Sequence, residues 1–305
     1  MRLDDFDPND VDVEDQRGGG GFQLPIGGGG FPLGGGRLGC GSIALLLILA
    51  VVFKVNPLSL LGGMPAQAPT QPGQPGTGAY EQTGPAAGGG AASCRVDAAS
   101  LESCNALSSL NKTWKPLLGD AGVAFARPKL VFYAQAGRSG CGSAQSAMGP
   151  FYCPADNGIY LDTDFYRQLE QQLGASGQFA RDYVIAHEYG HHIQNLVGLS
   201  DKVHRAQEAN PRAANALSVR LELQADCYAG VWAARNRDRL EPGDMESGLN
   251  AAHQIGDDAL QRGAGENPNE ASFTHGSSAQ RMAWLKKGLD SGDLNACDTF
   301  ADLRN

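Results

Sequence analysis

The chain has 305 residues, of which 42 are Gly and 16 are Pro, and a formal net charge of −9. Residues 1–91 hold 22 of those glycines and 9 of those prolines, a low-complexity composition that excludes one compact domain spanning the whole chain. The remainder is long enough for a sizeable core, and the acidic balance (net −4 before residue 92, net −5 after it) excludes the basic footprint of a nucleic-acid binder.

In chain order, residues 1–17 (MRLDDFDPNDVDVEDQR) show neither helical nor strand period and read as an acidic disordered tail. With the Gly runs that follow, this tail makes up residues 1–38. Ile43 to Phe53 is unbroken apolar, and extension to residues 39–61 adds one charge, Lys54, able to snorkel. That stretch reaches the ~20 residues of a bilayer crossing and reads as a single transmembrane helix. Ala66-Gln67-Ala68 resembles a leader cleavage site, but the long acidic segment before the apolar run is unlike a short positive leader. Residues 62–91, rich in Gly, Pro, Ala and Gln, read as a flexible linker, and residues 92–305 as the globular domain.

Within that domain a helix is expected over residues 97–117, a strand at 130–134, a Gly/Ser/Cys loop at 137–154 and a strand at 158–162. Three helical patterns follow, at about 177–197, 211–235 and 245–262, with Asn210 as cap and Pro211 in the first turn of the second. A last helix is expected at 277–289. Few strands and many helices define an α+β class, mainly helical with a small sheet.

Cys40 stands alone, whereas Cys94, Cys104, Cys141, Cys153, Cys227 and Cys297 lie in the globular part with no zinc-ligand spacing. An even set of this kind reads as disulfides formed in an oxidising compartment. Pairing nearest neighbours gives Cys94–Cys104, Cys141–Cys153 and Cys227–Cys297. The domain is therefore expected on the extracytoplasmic side, in the periplasm or at the cell exterior, with the tail inside and one membrane crossing between them.

The chemistry centres on His187-Glu188-Tyr189-Gly190-His191. Histidines at i and i+4 share one helical face and suit tetrahedral zinc. Glu188 is rotated away from that pair and can take a proton from water beside the metal. The positions three and six past His191 are Gln194 and Val197, which excludes the metzincin pattern. Glu222 and Asp226, again i and i+4, offer the third ligand. Glu222 as ligand leaves Asp226 to accept the N–H of a ligand imidazole, while Asp226 as direct ligand is the alternative. His275 is the candidate donor to a developing oxyanion, against a simple helix-capping role, with Arg281 as oxyanion partner or surface ion pair. His253, with Asp257 at i+4, is a candidate orienting residue. The strand at 158–162 is the candidate cleft edge for a peptide adding as a strand.

HEYGHH, ELQADCYAGVWA and THGSSAQR, together with CGSAQSAMGPFYCPADNGIYLD and AAHQIGDDALQ, resemble the neutral zinc metallopeptidase family of membrane-anchored bacterial proteins. The Glu-x-x-Ala-Asp arrangement also resembles the gluzincin class. The resemblance implies a zincin-like domain holding zinc through His187, His191 and Glu222, with Glu188 as base and a peptide or protein as substrate. Two other readings compete: a non-catalytic scaffold with structural zinc, and a metal-dependent hydrolase of a non-protein amide such as cell wall.

Overall fold

The computed structural model describes residues 1–4, 7–17 and 90–301. The stretches read as the Gly runs, the membrane span and most of the linker lie outside these. No helix among the described residues is long and apolar enough to cross a membrane.

The acidic N-terminal segment departs from its reading as a disordered tail. Asp12–Asp15 forms strand β1, which pairs in parallel with β2 (Lys129–Tyr133) in the register Asp12 to Lys129 through Asp15 to Phe132. Its pattern is mostly exposed because it is an edge strand, so no buried alternation marks it in the sequence. β2 also pairs in parallel with β6 (Gly158–Asp162), and β6 pairs antiparallel with β5 (Phe151–Cys153), giving the order β1-β2-β6-β5. All five residues of β6 are buried, as expected for a strand with neighbours on both sides. The predicted loop at 137–154 contains more order than its composition suggests. It holds a hairpin of β3 (Ala136–Ser139) and β4 (Gly142–Gln145), closed beside β5 by the Cys141–Cys153 disulfide. The other two disulfides join Cys94 to Cys104 and Cys227 to Cys297, so all three follow the nearest-neighbour pairing.

The helices form the larger part of the core. α1 (Ala98–Asp120) starts at Asp97, whose carboxylate accepts from the Ser100 N–H. Next come α2 (Phe165–Gln171), α3 (Gln178–Leu196), α4 (Leu199–Ala209) and α5 (Ala214–Arg235). The expected third pattern is two helices, α6 (Asp244–Gln254) and α7 (Asp257–Gly263). The break falls at Gly256, where a Cβ would lie 2.4 Å from the Ser278 backbone nitrogen, so the chain turns there against the next helix. That helix, α8 (Ser278–Ser291), opens with Ser277 and Gln280 in a reciprocal capping box. Asn210 does not cap α5 through its side chain; a short 3₁₀ turn at Pro211–Ala213 leads in instead.

Glycine contacts set how the central helices approach. A Cβ on Gly288 of α8 would meet the Cys227 carbonyl oxygen at 1.9 Å, and one on Gly230 of α5 would meet the Leu285 carbonyl oxygen at 2.1 Å. α5 and α8 therefore cross in backbone contact. Trp114, Trp232, Tyr183 and Phe179 fill the core around them.

Candidate metal centre

α3 carries both histidines of the HExxH motif, and their rings stand 4.9 Å apart, nearly perpendicular. Gly190 lets α5 reach them: a Cβ there would lie 2.8 Å from the Cα of Ala225. This approach brings Glu222 opposite the imidazoles. Its Oε2 is 3.1 Å from His187 Nε2 and its Oε1 is 3.5 Å from His191 Nε2. One donor atom from each of the three residues lies within 4.8 Å of the others. Two imidazole nitrogens and one carboxylate, converging at the floor of a cleft, match the donor set of a zinc site with a fourth position open. The residues present therefore fit the metal. Glu188 lines the same cleft and is 8% exposed. Burial raises its carboxyl above the ordinary range, and the facing Glu222 adds to this against the pull of His187 and His191.

Each imidazole is held from behind. Asp226 Oδ1 accepts from His187 Nδ1 at 2.7 Å, which leaves Nε2 as the nitrogen facing Glu222. Asp226 also accepts from the Tyr183 hydroxyl at 2.6 Å and from Arg281 through Nε and Nη2, both at 2.9 Å. Asp226 is fully buried and both its oxygens are engaged by His187, Tyr183 and Arg281, so it holds His187 from behind and stands outside the His187/His191/Glu222 cluster. Burial alone would raise its carboxyl, but Arg281 and then His187 hold it down at about 2. Burial pulls His187 the other way, yet Asp226 and Glu222 push its pKa up to about 10, so a metal entering here displaces a proton. His191 Nδ1 bonds the Gln194 side-chain oxygen at 2.9 Å, and the Gln194 amide donates to the Leu221 carbonyl and to Gln224.

Sequence reasoning missed Tyr183, Gln194 and Gln224. Their signal was a polar group on the buried side of a helix that carries a candidate ligand. Arg281 is no surface residue: it is 2% exposed and serves Asp226.

His275 lines the same cleft as His187, Glu188 and His191, and Ser277, not His275, caps α8. Asp257 fixes it. Asp257 Oδ2 accepts the backbone N–H groups of Thr274, His275 and Gly276, and Oδ1 lies 3.2 Å from His275 Nδ1. His253 is corrected accordingly. It is exposed on α6, because the helix break puts Asp257 on α7 and turns it toward His275. The cleft edge is also corrected. β6 is interior, and its neighbour β5 is an edge strand, with Phe151 and Tyr152 lining a cleft of about 500 Å³. Tyr152 is held by Asn157, Asn195 and the neutral ring of His192, which in turn donates from Nε2 to the Ala126 carbonyl.

A mostly helical α+β domain with a His/His/Glu cluster is the class that fold and site define. The family described as "Putative neutral zinc metallopeptidase" matches residues 5–300, and the chain belongs to this family. It is 42% identical over 299 residues to the uncharacterized protein YpfJ of Escherichia coli K12, covering 94% of this chain and 95% of that one. It is 45% identical over 211 residues to the uncharacterized protein Rv2575 of Mycobacterium tuberculosis H37Rv, covering 64% of this chain and 69% of that one. No solved structure matches the chain.

Proposed function

We propose that this protein is a zinc metalloendopeptidase of zincin-like, gluzincin type. The observation that carries the reading is the convergence of His187, His191 and Glu222 donor atoms at a cleft floor lined by Glu188. When bound there, zinc supplies a Lewis acid that polarises a carbonyl and acidifies water. Glu188, ionised and poorly solvated, accepts the proton of the attacking water and returns it to the leaving amine. His275, braced at Nδ1 by Asp257, presents Nε2 to the cleft, where its N–H stabilises negative charge growing on the carbonyl oxygen. The β5 edge offers unpaired backbone groups to an extended peptide, which favours a peptide over a compact amide substrate. A cluster of three donors, with no fourth His, Cys, Asp or Glu grouped with it among the described residues and a carboxylate lining the same cleft, would disfavour a purely structural zinc.

Three disulfides support an extracytoplasmic location, and the apolar run at 43–53 supports association with a membrane. Glu188→Gln is expected to retain zinc and to lose casein hydrolysis by at least ~100-fold. Full activity in that variant contradicts the mechanism.

A further inference from the structure

The segment before the Gly runs is built into the same folded unit as the metal site. Val11 and Val13 pack on the main core, and Leu3 is 3% exposed within it. Past β1, the Gln16 backbone N–H bonds the Phe132 carbonyl at 2.7 Å, and the Gln16 amide bonds both backbone groups of Arg138 at 2.8 and 3.0 Å. Arg17 lies 4.7 Å over the Phe132 ring and donates to Asp15, Asp97 and Ser100. The segment also reaches the back of α3. The Asp10 carbonyl accepts from Asn111, whose side-chain oxygen accepts from Tyr189, the residue beside Glu188.

The chain re-enters the described structure beside the point where it leaves. A Cβ on Gly90 would lie 3.0 Å from the Val13 carbonyl oxygen, and Arg17 Nη2 donates to the Ser93 carbonyl at 3.3 Å. Residues 17 and 90 thus lie on one face of one unit. A chain that leaves and rejoins a single folded unit crosses any membrane an even number of times, zero included.

We infer that residues 7–17 and the domain from residue 90 onward lie on the same side of any membrane the chain meets. This replaces the expectation of an inside tail and an outside domain. The topology does not depend on zinc or on hydrolysis.

The test uses the full-length chain with Cys40→Ser, carrying either Asn9→Cys or Lys115→Cys; both sites are exposed. A membrane-impermeant maleimide is applied to intact spheroplasts and to inside-out vesicles, with labelling after denaturation as the reference. The inference predicts that the two cysteines react together or are protected together in each preparation. Reaction of one with protection of the other overturns it. If Asn9→Cys fails to accumulate, Pro8→Cys, in the same exposed turn, replaces it and is read the same way.

Discussion

Gly190 of α3 sits directly against Ala225 of α5: a Gly190 Cβ would lie 2.8 Å from the Ala225 Cα and 3.0 Å from its Cβ and carbonyl oxygen. The atoms met are backbone and a Cβ, none of which can rotate away, so a methyl group cannot be absorbed by a rotamer change. Ala is the better helix former by about 1 kcal/mol, so propensity alone would make Gly190→Ala stabilising. The account predicts the opposite. The helices move apart, Glu222 withdraws from the histidines, and zinc affinity falls at least ~10-fold in a competition titration. Wild-type affinity in this variant would detach the helix contact from the site.

The Asp226–Arg281 pair is buried and bidentate, and removing one partner strands a charge. Arg281→Met is expected to cost about 3–5 kcal/mol in denaturant unfolding, with part of this recovered in Arg281→Met combined with Asp226→Asn. Additive losses in the double variant would contradict a paired role.

On the proposed mechanism, the pH profile of hydrolysis follows from two groups. Glu188 acts ionised, and burial raises its carboxyl, so kcat/KM rises with pH through an acid limb above 4.5. His275 Nδ1 faces Asp257, so a donating Nε2 requires the protonated ring. Burial lowers its pKa, but Glu222 and Asp257 outweigh that and raise it, so activity falls with pH through a limb above 6.5. Asp257→Asn is expected to move the basic limb to lower pH, and His275→Asn to abolish it with a loss of ~100-fold. An unchanged basic limb in both variants would remove His275 from the chemistry.

His192 gives a separate dependence. Burial depresses its pKa to about 4, below the 6.5 of an unfolded chain. The unfolded state therefore binds more protons between these values, and stability falls as pH drops from about 6.5 to about 4. The loss is up to roughly 3 kcal/mol. Thermal unfolding across that window should lose this slope in His192→Asn relative to wild type.

Much of the site was legible because the metal helix and α5 are long, with motif residues at a helical period, and Glu222 and Asp226 could be read as one turn apart. Their division of labour, with Glu222 facing the histidines and Asp226 behind them, was the reading preferred, but the contacts that enforce it were not legible. It depends on Arg281 and Tyr183 occupying the oxygens of Asp226, contacts between residues far apart in sequence. The His253–Asp257 pairing failed because an i, i+4 reading assumes a continuous helix, and the close approach at Gly256 breaks it. β1 and β5 were invisible for a related reason. They are short edge strands whose pairing partners are distant or held by a disulfide, so their own residues carry little period.

Zinc content of Glu222→Ala and Asp226→Asn, measured side by side after equilibration at one buffered free-zinc level, tests the site most directly. The geometry predicts an empty Glu222→Ala protein, and an Asp226→Asn protein that still binds zinc with affinity weakened ~10–100-fold. Retention of zinc by Glu222→Ala together with its loss from Asp226→Asn would contradict the assignment.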